Sequence, residues 1–300
     1  MRFDEELANR KAEAEEILEQ YGRMADPSYQ KTVMEAMEYN LFAPGKRLRP
    51  ILMGEAFRAF HGSSEIIRPF MAAIEMIHTY SLIHDDLPAM DNDDYRRGRK
   101  TTHVVYGEDM AILTGDALLN YAFETALKAF DAAEGEEGKR VADALQILAR
   151  KAGIYGMVGG QTFDVEAEDK EIALNEEHLL FINRLKTSAL IEAALMTGAV
   201  LAGADAEQVR VMERIGEEVG IAFQIRDDIL DVTSTAEVLG KPIGSDERNN
   251  KTTFVTLKGM EQAQADVLAH TAKARELLGI LPVESEFLQE LIASMGERIK

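Results

Sequence analysis

The sequence predicts an all-α fold, and three observations carry that prediction. Apolar residues recur at i, i+3, i+4 and i+7 along most of the chain, which is the spacing of one helix face. No segment alternates apolar and polar residues as a half-buried strand does. The breaks between patterns are short and hold turn-forming residues. Because no break resembles an interdomain linker, we expect one domain over residues 1–300, whose size is explained by helices surrounding a central cavity.

The helical patterns follow one another along the whole chain. They cover residues 3–21, 28–41, 46–61, 65–85, 108–130, 138–157, 176–202, 206–234, 255–279 and 284–299. The 65–85 pattern is a clear example, since Ile67, Phe70, Ile74 and Ile77 fall on one face. A longer interruption at 239–253 is rich in glycine and polar residues, and it is expected to close over a site as a lid.

Composition excludes several classes of protein. Of 300 residues, 46% are hydrophobic, and the formal net charge is −20. Such an acidic excess argues against nucleic acid or an anionic membrane surface as a partner. The lack of cysteine excludes disulfides, thiolate metal sites and cysteine nucleophiles. The acidic start and the lack of an apolar run of about 18 residues predict a soluble, cytoplasmic protein without stable membrane association.

An acidic stripe lies near the end of the 206–234 pattern. Gln224, Asp227, Asp228 and Asp231 share one helix face, and their neighbours are apolar almost all round. Buried carboxylates are neutralised, paired or bound to metal. A solvated face of a surface helix is the alternative, but the apolar neighbours favour metal binding.

A second acidic cluster ends the 65–85 pattern. Its carboxylates are Asp85, Asp86 and Asp91. Pro88 should end the helix near Leu87, which leaves Asp85 in the last turn and Asp91 just beyond the break. His78 shares the helix face of Asp85, so the polar stripe continues upstream.

Both clusters offer oxygen ligands in a chain with few histidines. Such donors point to a hard ion, and Mg²⁺ fits best because it shares its coordination among carboxylates, waters and substrate phosphates. The spacing of a calcium-binding EF-hand is absent, and Asp93 and Asp94 are interpreted as exposed turn residues. If the clusters face each other, they hold several divalent ions and a polyphosphate substrate.

Basic residues stand out against the negative net charge. The clustered ones are Lys46, Arg47 and Arg49; Arg96, Arg97, Arg99 and Lys100; Lys186, which precedes Thr187; and Lys241 and Lys251. Arginine suits diphosphate through bidentate forks, and lysine through its point charge. For Arg47, Arg99 and Lys100, pairing with surface acids is an equally good interpretation. Lys186 lies in an apolar pattern and should point inward, while residues 159–161 indicate a close helix crossing.

The order of these motifs resembles the trans-isoprenyl diphosphate synthase family and, within it, the bacterial farnesyl diphosphate synthases. The matching motifs are Gly45–Pro50, Asp85–Asp91, Arg96-Arg97, Gly160-Gln161, Lys186-Thr187 and Gly220–Asp231. The resemblance covers nearly the whole chain. It implies a polyprenyl synthase domain over residues 1–300 with the isoprenoid synthase type I fold, a bundle of antiparallel helices around a deep cavity. It also implies a homodimer. Pro44 departs from the family pattern, in which a second glycine is common.

The resemblance further implies the reaction and the residues that serve it. Isopentenyl diphosphate and dimethylallyl or geranyl diphosphate would give (E,E)-farnesyl diphosphate. The Mg²⁺ ligands would be Asp85, Asp86, Asp91, Asp227, Asp228 and Asp231. The catalytic residues would be Asp85, Asp91, Asp227 and Lys186. Isopentenyl diphosphate would contact Lys46, Arg49, His78 and Arg97. The remaining substrate contacts would be Arg96, Lys186, Thr187, Gln224, Lys241 and Lys251.

Product length is expected to depend on Tyr80. Five residues before Asp85, it lies about 7–8 Å away along the helix axis at 1.5 Å per residue. An aromatic residue there, with the two extra residues inside the first cluster, resembles the farnesyl-producing bacterial type. An ordinary core tyrosine is the alternative, and a geranylgeranyl diphosphate synthase is the alternative activity.

Other functional classes fit the sequence less well. A class I terpene cyclase would carry an Asn/Asp, Ser/Thr and Glu metal motif in place of residues 227–231. A non-catalytic subunit of a synthase would lack the second cluster or the basic contacts. A cation-binding scaffold does not explain Lys186 or the paired arginines.

Overall fold

The computed structural model describes residues 2–24, 28–233, 252–283 and 285–297. Its helices are α1 Phe3–Gly22, α2 Lys31–Leu41, α3 Leu48–Ala59, α4 Ile67–Asp85, α5 Thr102–Tyr106, α6 Glu108–Leu127, α7 Ala129–Ala132, α8 Glu137–Ala152, α9 Met157–Asp169, α10 Glu176–Asn183, α11 Ala189–Ala202, α12 Ala206–Thr233, α13 Phe254–Lys258, α14 Met260–Leu278 and α15 Glu286–Glu297. Two-residue strands β1 Tyr95–Arg96 and β2 Arg99–Lys100 pair antiparallel, with Arg96 opposite Arg99. The predicted all-α class is confirmed.

Contacts divide the chain into two compact units. The first comprises Met1–Gly54 and Ser63–Leu145, and the second comprises Glu55–Gly62 and Gln146–Lys300. In the first unit, α4 packs against α1, α2 and α6. Its side chains are buried on nearly every side as far as Ile83, and this packing positions the carboxy-terminal end of the helix. The expectation of one domain over residues 1–300 stays a prediction.

In the second unit, α12 packs against α11 and α14. One core cluster there contains Leu179, Ile221, Ile225, Ile229, Phe254, Ala263 and Val267. The continuous stretch Glu176–Ala202 has the length and hydropathy of a membrane span, although the sequence analysis expected no such run. In the structure, 78% of its most apolar window is buried inside the protein, and burial accounts for its apolar character.

A buried charge in the second unit predicts a pH-dependent stability. Glu192 is 6% exposed and contacts the Lys151 ammonium, which also lies 2.6 Å from Glu213. Burial raises the pKa of Glu192 to about 7, against the opposing effect of Lys151. A carboxyl whose pKa is raised by folding stabilises the fold while protonated, and that contribution is lost as pH rises through about 7.

We therefore expect the Tm of the wild type to fall relative to that of Glu192→Gln between about pH 5 and about pH 8. Glutamine cannot ionise, so the variant lacks this titration. Circular dichroism melts at several pH values measure the difference. A difference in Tm that stays constant over this range contradicts the assigned burial effect.

Candidate active site

Asp85 is the last residue of α4, and the chain turns sharply after it. The helix ends before Pro88, as the sequence predicts. The Asp91 N–H donates to the Asp85 carbonyl oxygen at 2.9 Å. This hydrogen bond holds the backbone of Asp91 next to that of Asp85. Both side chains are half-buried. Two carboxylates thus start from adjacent backbone positions, as a shared metal site requires.

Asp86 pairs with an arginine of the hairpin. Its side chain is buried, accepts a hydrogen bond from Arg96 Nε at 2.6 Å and forms an ion pair with Arg96 Nη2 at 2.5 Å. Burial raises the pKa of Asp86 to about 6, and the Arg96 charge opposes that rise. The two contacts fix the direction of the guanidinium. The structure thus places Asp86 against Arg96, and its role as a Mg²⁺ ligand stays a prediction.

The turn between β1 and β2 sets the position of Arg97. Arg97 has φ 53° and Gly98 has φ 74°, the left-handed conformations that both central residues of a type I′ turn adopt. Arginine rarely adopts this conformation, and such strain is concentrated at functional sites. Next to the turn, the Arg99 guanidinium lies 4.0 Å from the centre of the Tyr39 ring, so Arg99 packs against an aromatic side chain.

Positive charge is concentrated around one half-buried histidine of α4. The four guanidinium groups that act on His78 belong to Arg47, Arg49, Arg96 and Arg97. Burial, followed by these charges, holds the pKa of His78 well below its usual range, so the ring is neutral near pH 7. Glu75 and Asp86 lie against two of the guanidinium groups. In a chain of net charge −20, this cationic cluster suits a multiply charged anion such as diphosphate.

The polar stripe of α12 continues through hydrogen bonds onto neighbouring elements. Thr187 Oγ1 donates to Gln224 Oε1 at 3.0 Å, and Gln224 Nε2 donates to Asp228 Oδ1 at 3.0 Å. The Phe254 N–H donates to Asp228 Oδ2 at 3.0 Å. Asp228 is thus buried with protein donors on both oxygens, whereas Asp227 is half-buried on the same helix. The structure brings the predicted residues of this unit together.

Lys186 lies in a π-helical turn, Arg184–Ser188, that joins α10 to α11. Such turns are rare and often lie at functional sites. Lys186 Nζ lies 2.6 Å from Asp164 Oδ2 of α9. The predicted close helix crossing is also present: a Cβ built on Gly160 would lie 2.2 Å from the backbone nitrogen of Lys186, so only glycine fits there. The structure thus makes Asp164 a partner of the predicted catalytic lysine.

Three predicted features fall partly or wholly outside the described residues. Lys241 and Lys251 lie in the gap between residues 233 and 252, as does most of the predicted lid at 239–253.

Asp231 lies near the end of α12 and is 5% exposed. Its role as a metal ligand stays a prediction.

The carboxylates fit Mg²⁺ when a substrate supplies further oxygen ligands. Among the described residues, no three acidic or histidine side chains are grouped so that they hold a metal by themselves. Mg²⁺ ordinarily takes one or two carboxylates and completes its shell with waters and phosphate oxygens. Asp85 and Asp91, with oxygen donors and adjacent backbones, provide such a partial set.

The fold and these residues define an all-α class of enzyme that acts on diphosphate substrates. The family model described as polyprenyl synthetase matches residues 30–279, and the chain belongs to that family. The resemblance to trans-isoprenyl diphosphate synthases is thereby confirmed.

Named relatives cover nearly the whole chain. It is 41% identical over 297 residues to the farnesyl diphosphate synthase of Geobacillus stearothermophilus, with 96% of each chain covered. It is 43% identical over 271 residues to the geranylgeranyl diphosphate synthase of Cyanophora paradoxa, covering 89% of this chain and 87% of that one. A Helicobacter pylori geranyltransferase, solved with magnesium and isoprenyl diphosphate, has a TM-score of 0.84 at 32% identity, covering 98% of this chain and 96% of that one. These matches confirm the predicted fold type.

Proposed function

We propose that this chain is a farnesyl diphosphate synthase, which adds isopentenyl diphosphate to dimethylallyl diphosphate and then to geranyl diphosphate. The observation that carries the proposal is the cationic cluster around neutral His78, on the same helix as Asp85. The farnesyl diphosphate synthase relatives, at about 40% identity over nearly the full length, support the product.

Isopentenyl diphosphate is assigned to the cationic cluster of the first unit. Lys46, Arg49 and Arg97 supply positive charge to its diphosphate oxygens, and neutral His78 supplies an N–H donor. None of these groups has to lose a proton for this role. They therefore bind the diphosphate in the same way throughout the reaction and hold the alkene carbons of the substrate in position.

The allylic diphosphate is assigned to Arg96, Lys186, Thr187 and Gln224, with Lys241 and Lys251 as further contacts. Asp86 and Asp164 orient Arg96 and Lys186. The fixed cations stabilise charge on the leaving diphosphate, and they need no reorganisation when the bond breaks. The ion pairs of the two cations thus serve the reaction as well as the fold.

Mg²⁺ is proposed to be held by Asp85, Asp91 and Asp227, with Asp86, Asp228 and Asp231 in support. When bound, it would neutralise part of the diphosphate charge.

The reaction breaks the allylic carbon–oxygen bond, whose electron pair stays on the diphosphate. The alkene of isopentenyl diphosphate then forms the new carbon–carbon bond. A proton finally passes from the adjacent carbon to the departing diphosphate, which leaves the trans double bond. The allylic cation has to be kept from water until the alkene attacks it, which requires apolar surroundings.

The protein is proposed to act in the cytoplasm as a homodimer without stable membrane association. Large apolar side chains that are exposed on α5 and α6 support self-association, since a partner would remove them from water. They are Val104, Val105, Ile112 and Leu113.

The proposal is tested by incubating the purified protein with Mg²⁺, labelled isopentenyl diphosphate and each allylic primer, and then sizing the hydrolysed products. We expect fifteen-carbon product from both dimethylallyl and geranyl diphosphate. Mainly twenty-carbon product supports the alternative, a geranylgeranyl diphosphate synthase, which the Cyanophora paradoxa relative favours. Failure to incorporate label with any primer refutes both.

A further inference from the structure

We propose that the buried ion pair of Arg47 and Glu75 positions the loop that carries Lys46, so that Lys46 and Arg49 can bind isopentenyl diphosphate. The inference rests on the proposed function, which assigns that substrate to these two residues. The Lys46 loop comprises residues 42–47, between α2 and α3. Arg47 and Glu75 are positioning residues in this proposal, because they act through Lys46 and Arg49.

One guanidinium ties three elements of the first unit together. Arg47 Nη1 lies 2.8 Å from Glu75 Oε1 of α4. Arg47 Nη2 donates to the Leu41 carbonyl oxygen at 3.1 Å and to the Ala43 carbonyl oxygen at 2.7 Å. Arg47 is 4% exposed and Glu75 is 1% exposed, so water does not compete for these contacts. The end of α2, the loop and α4 thus share a single buried anchor.

The backbone of the loop needs such an anchor. Arg47 has φ 55°, a left-handed conformation that a non-glycine residue keeps only where its surroundings enforce it. The Arg47 carbonyl oxygen then accepts the Ile51 N–H at 3.1 Å in the first turn of α3. Lys46 precedes this residue directly, and Arg49 follows it by two positions. The conformation of Arg47 therefore sets where both side chains begin.

The charge of Glu75 is needed because other cations are close to the loop. A Cβ built on Gly45 would lie 3.0 Å from Arg97 Nη1 and 3.1 Å from Arg47 Nη1. Both guanidinium groups thus lie against the loop. Removing the Glu75 charge leaves buried Arg47 beside another cation, with the exposed carboxylate of Glu15, 4.0 Å from Arg47 Nε, in place of a buried one, which is unfavourable. We expect the loop to rearrange in response.

Lysine cannot replace Arg47, because one ammonium group does not reproduce a planar fork of donors directed at three oxygens.

The test compares steady-state kinetics of the wild type, Glu75→Gln and Arg47→Lys, with isopentenyl and geranyl diphosphate varied in separate series. We expect the KM for isopentenyl diphosphate to rise about 10-fold or more in both variants, while the KM for geranyl diphosphate changes less than about 2-fold. Glu55→Gln is the matched control. It removes another buried glutamate that pairs with an arginine, Arg58 at 2.7 Å, near the far end of α3. Its KM for isopentenyl diphosphate should match that of the wild type.

A double variant separates positioning from stability. Replacing both members of a buried ion pair by apolar residues leaves no unpaired charge, so Arg47→Met with Glu75→Leu should be less destabilised than Glu75→Leu alone, although the Leu41 and Ala43 carbonyl oxygens lose a donor. Its KM for isopentenyl diphosphate should still rise, because the three anchoring contacts are gone. A rise in the KM for isopentenyl diphosphate alone, measured well below the Tm of the variant, supports a positioning role. An unchanged KM, or equal rises for both substrates, overturns it.

The failure of the inference and the failure of the proposed function give different results. If the wild type incorporates no isopentenyl unit, the proposed function fails and this inference fails with it. If the wild type is active and Lys46→Ala raises the KM for isopentenyl diphosphate, but Glu75→Gln does not, the inference alone is overturned.

Discussion

Replacing Asp85 by alanine is expected to lower kcat about 10²-fold or more, by analogy with the loss of one group that stabilises developing charge. Asp85 ends α4 beside the backbone of Asp91, where the pair fits Mg²⁺ and diphosphate oxygens. Without this carboxylate, less positive charge faces the diphosphate as the allylic bond breaks. Initial rates at saturating substrates, measured across a Mg²⁺ titration, give the effect. We expect Asp227→Ala to behave similarly.

Asp94→Ala is the matched control for Asp85→Ala. Asp94 is an exposed aspartate of the turn that precedes β1, and its replacement should leave kcat near that of the wild type. If Asp85→Ala keeps a nearly normal kcat at saturating Mg²⁺, the metal role of the first cluster is wrong.

Replacing Tyr80 by alanine is expected to shift the product from fifteen carbons to twenty or more. Tyr80 is 6% exposed, and its ring contacts His84 edge-to-face, with centroids 5.8 Å apart. Burial raises the pKa of its hydroxyl, so the phenol is neutral. A neutral bulky ring one and a half turns before Asp85 can limit the length of a growing hydrocarbon chain. Chromatography of the hydrolysed products measures the shift.

Tyr80→Phe separates the ring from the hydroxyl. It keeps the bulk of the side chain, so we expect fifteen-carbon product from this variant. Truncating a buried aromatic residue destabilises a protein by about 3–5 kcal/mol, and the Tm of Tyr80→Ala therefore has to exceed the assay temperature. If folded Tyr80→Ala gives the wild-type product distribution, Tyr80 is an ordinary core residue.

The sequence predicts the long helices because burial repeats with the helical period. α8 shows this best, since Val141, Ala144, Leu148 and Ala152 are buried at spacings of three or four residues and exposed residues lie between them. The patterns do not predict α9, whose glycines disfavour helix and whose position is set by its crossing with the π-helical turn. They also miss the hairpin at residues 95–100. Two-residue strands are too short to show alternation, and their turn depends on an arginine in a strained conformation.

The candidate site, too, could be predicted from the sequence only in part. Spacing alone identifies the polar stripe of α12, because residues three and four apart share a helix face. It does not identify the partner of a charge across the fold. For Arg47, pairing with surface acids was an equally good interpretation of the sequence, yet in the structure it pairs with buried Glu75. A glutamate inside the apolar pattern of α4 was the available signal, because a buried carboxylate requires a partner.

The central claim is that this chain joins two diphosphate substrates and releases one diphosphate for each carbon–carbon bond formed. The most direct test quantifies inorganic diphosphate and incorporated label in the same reaction with geranyl diphosphate, labelled isopentenyl diphosphate and Mg²⁺. We predict a one-to-one ratio, and no diphosphate release when isopentenyl diphosphate is omitted. Diphosphate release from geranyl diphosphate alone, without incorporation of label, would instead indicate a cyclase or a hydrolase and contradict the account.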